Sequence, residues 1–292
     1  MSERQNPTQP HPNHDRGLEF DVATLLDRRR ALGLFGGAGL LALAGCADAT
    51  TGSSGATASS STTASATSTA SATASANSAT ASTVSTEVPD ETGGPYPGDG
   101  SNGANVLDDA GIIRSDITSS FGTSTTKAEG VPLTINLTVT DSANGYAAMQ
   151  GVAVYLWHCD RDGNYSMYSQ GVENENYLRG VQPTNANGTA TFTTIFPAAY
   201  SGRWPHVHFE VYKSTAEATS SGQIVKTSQL ALPEAVCKTV YATSGYEQSV
   251  SNISRTSLTS DNVFGDDGGI HQLATVTGDG TSGYVANLTI GV

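Results

Sequence analysis

Hydrophobic and polar residues alternate with a period of two in several segments of the later part of the chain. The segments span residues 133–141, 152–158, 189–195, 206–212, 272–278 and 284–292. This alternation predicts half-buried β-strands, because successive side chains of a strand point to opposite faces of a sheet. Clusters of Gly, Asn and Asp, such as "DRDGN" and "GDGTSG", separate the segments and predict turns. Many short strands joined by turns predict an all-β fold, an antiparallel β-sandwich.

Two stretches between the predicted strands show no alternation. Residues 159–188 and 213–235 are predicted to be long loops, and residues 231–241 offer at most one short helix. Long loops in compact domains usually carry function. We therefore expect these loops to carry the functional site of the sandwich.

The N-terminal residues 1–45 have the pattern of an export signal. Arginines 28–30 precede a short, glycine-rich apolar run that ends in "LAGC". The run is shorter than the roughly 20 apolar residues of a membrane span, and its order of basic, apolar and small residues predicts a secretory signal. The arginines resemble a twin-arginine signal and "LAGC" resembles a bacterial lipobox, which implies lipidation of Cys46. The alternative is a buried N-terminal helix with a chance cysteine.

Residues 46–87 consist almost entirely of Ser, Thr, Ala and Gly and contain no aromatic residue. Such a segment cannot bury a core, so we expect a disordered linker. It would tether a single folded domain, residues 88–292, to the lipid anchor. The predicted location is the outer face of the cytoplasmic membrane or the cell surface, with extracellular release as an alternative.

The charge balance argues against nucleic acid as a partner. The chain has a formal net charge of −13, and its first 45 residues hold equal numbers of acids and bases. The excess of acids therefore belongs to the rest of the chain, which is poor in the Lys and Arg residues whose neutralisation of phosphates drives nucleic-acid binding. No later segment approaches membrane-span length, so membrane contact is expected through the lipid anchor only.

Two cysteines remain for the folded domain once Cys46 is assigned to lipid. Cys159 and Cys237 form an even pair in a chain with an export signal. Export to an oxidising compartment permits a disulfide between them. Two buried free thiols would look the same in the sequence, so both alternatives stand.

The stretch "PAAYSGRWPHVHFEVY", residues 197–212, holds the most distinctive chemistry of the chain. On a strand, His206 and His208 share one face, while Val207, Phe209 and Val211 share the other, core-facing side. Two imidazoles at this spacing can chelate a metal ion, although such pairs also occur by chance on surfaces. Tyr200 and Arg203 precede the pair in the sequence.

His158 follows the alternation of the predicted strand 152–158 and shares the face of Val154 and Leu156. This position predicts a buried, hydrogen-bonded core histidine rather than a further metal ligand.

Three segments resemble the catalytic core of the intradiol ring-cleavage dioxygenases, the family of protocatechuate 3,4-dioxygenase and catechol 1,2-dioxygenase. They are "VYLWHCDRDGNYSMYS", "NYLRGVQPTNANGTATFTTIFPAAY" and "RWPHVHFEVY", in the order of the family. The similarity extends from "GGPYPGDG" to the C-terminal "GYVANLTIGV" and covers nearly the whole predicted domain.

The resemblance implies a non-haem Fe(III) ion carried by the loops and the strand of the His pair. Its ligands would be two phenolates and two imidazoles, from Tyr165, Tyr200, His206 and His208. Fe(III) is a hard Lewis acid that anionic oxygen stabilises, and the soft ligands Cys and Met are absent from the set. Two Tyr and two His can also hold Cu(II), which the residues alone do not exclude.

The resemblance also implies roles for residues around the metal. Tyr200 would leave the metal and take a substrate proton, and Arg203, with Gln229 nearby, would stabilise negative charge on the substrate. The segment before Gln229, "KSTAEATSSGQIV", is longer than in the intracellular enzymes, so we expect an altered pocket wall. Tyr96 in "GGPYPGDG" lies where it could reach the substrate or simply pack.

The sequence therefore predicts an exported dioxygenase. It would use O₂ to cleave catechol-type rings between the two hydroxyls and form muconate-type products. The alternative from another class is a non-catalytic surface lipoprotein that binds aromatics, sugars or metal. A third possibility is a copper oxidase with the same four ligands. Oligomeric state stays open.

Overall fold

The computed structural model describes residues 86–292. The predicted signal (1–45), Cys46 and nearly all of the predicted linker (46–87) lie outside the described residues. Within residues 86–292, no helix is both long enough and apolar enough to cross a membrane.

The described part of the chain contains β-strands, three short α-helices and two single 3₁₀ turns. The strands are β1 (Pro132–Asp141), β2 (Ala147–Ala148), β3 (Ala153–Trp157), β4 (Arg179–Pro183), β5 (Thr189–Ile195), β6 (His206–Tyr212), β7 (Ile224–Ala231), β8 (Thr275–Asp279) and β9 (Gly283–Gly291). The helices are α1 (Thr215–Ala218), α2 (Glu234–Tyr241) and α3 (Glu247–Ile253), and the 3₁₀ turns are Ser142–Asn144 and Leu258–Ser260. The short helix predicted within 231–241 corresponds to α2.

The strands form two sheets, which confirms the predicted all-β sandwich. In the first sheet the order is β2-β1-β9-β8, and β5 also pairs with β1. In the second sheet the order is β4-β3-β6-β7, and every pair is antiparallel. The candidate histidines therefore lie on β6, an inner strand of the second sheet.

One strand pair departs from the predicted antiparallel arrangement. β1 and β9 run parallel, from Leu133 opposite Tyr284 to Thr140 opposite Gly291. Parallel neighbours need a long crossover connection, and here the strands β2 to β8, including the whole second sheet, lie between β1 and β9 in the chain.

The prediction of two uninterrupted loops at 159–188 and 213–235 is wrong, because each stretch contains a strand. β4 lies in the first and β7 in the second. Both strands bury polar side chains, among them Arg179, Ser228 and Gln229. These polar residues hide the apolar alternation by which buried strands are recognised in a sequence.

Strand β6 is buried on both faces. Val207, Phe209 and Val211 point into the main core between the sheets. The opposite face of the second sheet carries a smaller cluster that includes Tyr155, Trp157 and Tyr165. The loops that cover this outer face enclose the candidate site.

Cys159 and Cys237 are both free thiols and both buried. The predicted disulfide is not formed, and the alternative of two buried thiols is the one observed. Cys159 belongs to the outer cluster, where its Sγ lies 3.7 Å from the carbonyl oxygen of Ala198. Cys237 lies on α2 in the main core, so the two thiols pack in different clusters.

Candidate metal centre

Two loops and one strand bring the four predicted ligands together. Tyr165 lies on the connection between β3 and β4, and Tyr200 lies on the connection between β5 and β6. His206 and His208 lie at the start of β6 and share its outer face. The prediction that the long loops carry the site therefore holds for Tyr165, whereas Tyr200 lies on the shorter β5–β6 connection and the imidazoles are fixed by a central strand.

The four donor atoms converge on one point. Tyr165 Oη lies 3.4 Å from Tyr200 Oη, which lies 3.1 Å from His206 Nε2. The Nε2 atoms of His206 and His208 are 3.1 Å apart. Ligands about 2.0–2.2 Å from one ion lie about 3 Å from each other, so these separations fit a shared first-row metal ion.

The two imidazoles differ in the contacts of their Nδ1 atoms. His206 Nδ1 lies 2.5 Å from the carbonyl oxygen of Trp204, so Nδ1 carries the proton and Nε2 keeps its lone pair. Metal-binding histidines typically donate their second ring N–H in this way. The ring of His208 stacks on Trp157 with centroids 5.0 Å apart, and its buried Nδ1 has no partner among the described residues.

Burial keeps all four groups neutral in the absence of a cation. Desolvation raises the pKa of Tyr200 to about 12, although Arg203 lowers it, and raises the pKa of Tyr165 well above its usual value. Desolvation also lowers the pKa values of His206 and His208 well below the usual range. A bound cation would reverse this balance for the phenols, because it stabilises the phenolate form.

This donor set fits a hard metal ion. Within residues 86–292, no group of three or more His, Cys, Asp or Glu side chains is placed to hold a metal ion. The candidate set has two such side chains, and two phenols complete it. Phenolate oxygen and imidazole nitrogen suit Fe(III), and they also suit Cu(II).

Arg203 is held beside the four donors by a buried ion pair. Its Nε lies 3.0 Å from Asp261 Oδ2, and its Nη2 donates to Gln229 Oε1 at 2.6 Å. Its Nη1 lies 3.5 Å from His206 Nε2. Burial opposes the charge of Arg203, but Tyr200 and Asp261 outweigh this effect and raise its pKa. Arg203 is therefore a permanent, oriented positive charge at the site.

Asp261 anchors this arrangement, although no sequence motif indicated it. Its carboxylate accepts hydrogen bonds from Arg203 and from the backbone N–H groups of Trp204, Val263 and Phe264. Asp261 lies 58 residues from Arg203 in the chain, so no local pattern connects them. The one local signal is that Asp261 lies in a loop just before Val263 and Phe264. An Asp side chain in this position commonly accepts hydrogen bonds from the backbone N–H groups that follow it.

Gln229 lies beside the four candidate ligands and accepts the hydrogen bond of Arg203. On β7 it is directly opposite His208, and its Nε2 donates to the carbonyl oxygen of Thr92 at 2.9 Å. The long segment before it, residues 213–225, does not line the cavity beside the donors, so the expected change in the pocket wall is not observed there.

A cavity of about 140 Å³ opens onto the donor atoms. Tyr165, Tyr200, Arg203 and His208 line its floor, and Tyr96 and Asn262 are among the residues of its walls. Tyr96 packs on Tyr165 with ring centroids 5.0 Å apart, so it both packs and lines the cavity. The volume is close to the roughly 150 Å³ of a protein cavity known to hold benzene, which means that one aromatic ring fits.

His158 is the core histidine that the alternation predicted. Its two ring nitrogens lie 2.7 Å from the Cys159 carbonyl oxygen and from Thr194 Oγ1. Desolvation lowers its pKa to about 4, so the ring is neutral.

Arg179 was also missed by the sequence analysis, although it connects the two loops that cover the site. It is fully buried on β4, and its guanidinium donates to Pro97 O at 2.8 Å and to Ser166 Oγ and O at 3.0 and 2.9 Å. Ser166 follows the candidate ligand Tyr165, and Pro97 follows Tyr96 of the cavity wall. Gly98 permits this contact, because a Cβ atom there would lie 2.9 Å from Arg179 Nη1.

Solved structures similar to this chain include several dioxygenases. The intradiol ring-cleavage dioxygenase from Tetranychus urticae matches with a TM-score of 0.52 and 26% identity, over 63% of this chain and 87% of that chain. The dioxygenase domain of a dioxygenase–carbohydrate-binding protein fusion from Streptomyces sp. SirexAA-E matches with a TM-score of 0.45 and 24% identity, over 71% and 98% of the two chains. Catechol 1,2-dioxygenase from Pseudomonas arvilla C-1 matches with a TM-score of 0.39 and 17% identity, over 62% and 57%.

No protein-family model and no curated protein matches the chain. The described domain nevertheless shares its fold with intradiol ring-cleavage dioxygenases, which confirms the resemblance that the sequence motifs indicated.

We predict that Arg179→Lys lowers the free energy of unfolding by about 2–4 kcal/mol, because one ammonium cannot satisfy the partners on Pro97, Ser166 and Tyr155. Urea unfolding of the purified chain measures the change. The matched control is Arg255→Lys at an exposed position, expected to stay within about 0.5 kcal/mol of the parent. Equal stability of the two variants would contradict the role of Arg179.

Proposed function

We propose that this protein is a non-haem Fe(III) dioxygenase that cleaves catechol-type rings between their two hydroxyls, using O₂. The observation that carries the proposal is the convergence of two phenol oxygens and two imidazole nitrogens, 3.1–3.4 Å apart, at the base of a ring-sized cavity. The ligands would be Tyr165, Tyr200, His206 and His208. The structural similarity to an intradiol ring-cleavage dioxygenase supports the same conclusion.

Ferric iron held by these residues would bind a catechol through its oxygens and make the ring reactive toward O₂. The residues of the chain supply the rest of the chemistry. Tyr200 Oη, as a phenolate, accepts a proton from a catechol hydroxyl and holds it as a neutral phenol. The raised pKa of about 12 for Tyr200 favours this protonated form once the phenol is released into the buried site.

Arg203 would stabilise the negative charge that develops on the substrate. Its guanidinium cannot give up a proton at any working pH, and Asp261 and Gln229 hold two sides of it. A charge fixed before the reaction needs no reorganisation during it, which is the basis of electrostatic catalysis.

We further propose that the protein is an exported lipoprotein anchored through Cys46. The support is the order of arginines, apolar run and "LAGC" in the sequence, followed by a Ser/Thr/Ala-rich linker. The twin-arginine route carries folded proteins, so iron could be loaded before export.

The proposed function predicts a visible spectrum. The purified chain loaded with Fe(III) should show a broad phenolate-to-iron band that shifts when catechol is added without O₂. Tyr165→Phe should lose the band and most of the iron, whereas Tyr241→Phe, a buried tyrosine outside the donor set, should keep both. A colourless protein that catechol leaves unchanged after iron loading would overturn the proposal, and selective uptake of copper would favour the oxidase alternative.

A second prediction separates Arg203 from the metal ligands. Removing Arg203 alone leaves the buried Asp261 carboxylate unpaired, which typically costs about 3–5 kcal/mol of stability. The variant Arg203→Ala/Asp261→Asn avoids that charge, and we expect it to bind iron and catechol while kcat falls about 10²–10³-fold. Steady-state O₂ uptake and metal analysis are the two readouts. Unchanged kcat in this variant would refute the assigned role of Arg203.

A further inference from the structure

Some polar side chains line the cavity beside the candidate metal centre without a part in the proposed reaction. Within residues 86–292, these side chains are those of Thr92, Tyr96, Ser169 and Asn262. Two of them already bind the backbone, because Thr92 Oγ1 and Ser169 Oγ each accept a hydrogen bond from a main-chain N–H group at 2.9 Å. The side chains of Tyr96 and Asn262 have no hydrogen bond to any described residue.

Packing accounts for the position of Tyr96 but not for the amide of Asn262. The ring of Tyr96 packs on Tyr165 and on Tyr168, with ring centroids 5.0 and 5.3 Å apart. An Asn amide carries an acceptor oxygen and two N–H donors, which gain little from packing and need polar partners. Asn262 therefore brings unused hydrogen-bonding capacity to the cavity wall.

The backbone on both sides of Asn262 is fixed. The 3₁₀ turn Leu258–Ser260 leads into buried Asp261, whose Oδ1 accepts from the N–H groups of Val263 and Phe264 at 2.8 and 3.2 Å. These two residues are buried as well, whereas Asn262 between them is half-buried. The loop thus presents Asn262 to the cavity from a rigid position, beside the carboxylate that holds Arg203.

A ring that fills the cavity would cover Asn262 and displace the water that solvates its amide. A polar group that is covered without a new partner costs free energy, so the amide disfavours an alkyl substituent at its side of the ring. An oxygen substituent can accept from the amide N–H groups, and a hydroxyl can also donate to the amide oxygen. A methyl and a hydroxyl group are similar in size, so hydrogen bonding rather than cavity volume separates them.

We propose that Asn262 is a specificity residue that hydrogen-bonds an oxygen substituent of the ring, so that the site favours catechols with a further hydroxyl group over their methyl analogues. The inference rests on the proposed function, because it concerns the substrate of that site. It assigns a role to a residue outside the proposed ligands and outside the residues that act on charge or protons.

The test compares two pairs of catechols that differ only in a hydroxyl or a methyl group at one ring position. The first pair is pyrogallol and 3-methylcatechol, and the second is 1,2,4-trihydroxybenzene and 4-methylcatechol. Dissociation constants come from the anaerobic spectral shift of the iron-loaded chain. Each pair gives a methyl-to-hydroxyl ratio of dissociation constants, and comparing this ratio between parent and variant cancels the intrinsic differences between the two probes.

Asn262→Leu keeps the approximate shape of the side chain and removes its hydrogen bonds. We expect the methyl-to-hydroxyl ratio to fall about threefold to tenfold in at least one pair, which is the effect of one lost hydrogen bond. A merely structural role of Asn262 would weaken both members of a pair in parallel and leave the ratio unchanged. Asn262→Ala repeats the test with a smaller side chain, which covers a failure of the Leu variant to fold.

Two further variants serve as comparisons. Asn187→Leu, at an exposed turn between β4 and β5, is the matched control and should leave both ratios unchanged. Tyr96→Phe removes the other polar group of the cavity that has no partner among the described residues, and we expect it to preserve both ratios too.

The outcomes separate the inference from the proposed function. Unchanged ratios in Asn262→Leu and Asn262→Ala, or a fall in Tyr96→Phe as large as theirs, would overturn the inference while catechol binding at the iron stands. No spectral shift of the parent protein with any of the four probes would overturn the proposed function, and the inference with it.

Discussion

Burial of β6 on both faces is the constraint on which the candidate site depends. Strand alternation sends Val207 and Phe209 into the core between the sheets and sends His206 and His208 to the opposite face. That face is covered by loops, so the imidazoles enter a dry environment where they stay neutral and keep their lone pairs. The same core contacts that stabilise the sandwich therefore fix the spacing of two of the four donors.

The loops over β6 position the other side chains of the candidate site. Arg179 joins the loop of Tyr165 to the loop of Tyr96, and Asp261 holds Arg203 beside the donors. Both arginines are buried, but different groups of the protein balance the charges of their guanidinium groups. Arg203 has a carboxylate partner, whereas Arg179 donates to neutral oxygens of the chain. The guanidinium of Arg203 also lines the cavity, whereas the nitrogens of Arg179 donate within the protein, to Ser166, Pro97 and Tyr155.

The sequence allowed prediction of the parts of the fold that follow local rules. The predicted bounds of β5 and β6, residues 189–195 and 206–212, agree with the structure, and His158 is the core residue that alternation indicated. β4 and β7 were missed because buried Arg179 and Gln229 break the apolar pattern on which strand prediction depends.

The four donors were found because each lies in a recognisable motif, but the residues that orient them were not. The Arg203–Asp261 pair spans 58 residues, and the Arg179–Pro97 contact spans 82. Contacts at such separations follow from the topology of the two sheets rather than from any local pattern. The state of the thiols depends on packing in the same way, since Cys159 and Cys237 lie in different clusters.

X-ray absorption at the iron edge of the Fe(III)-loaded protein tests the central claim most directly, because it reports the atoms around the metal whether or not the enzyme turns over. We expect a nearest shell of oxygen and nitrogen only, with outer-shell scattering from two imidazoles that is halved in His208→Ala. A sulfur ligand, or imidazole scattering that persists unchanged when His208 is removed, would contradict it.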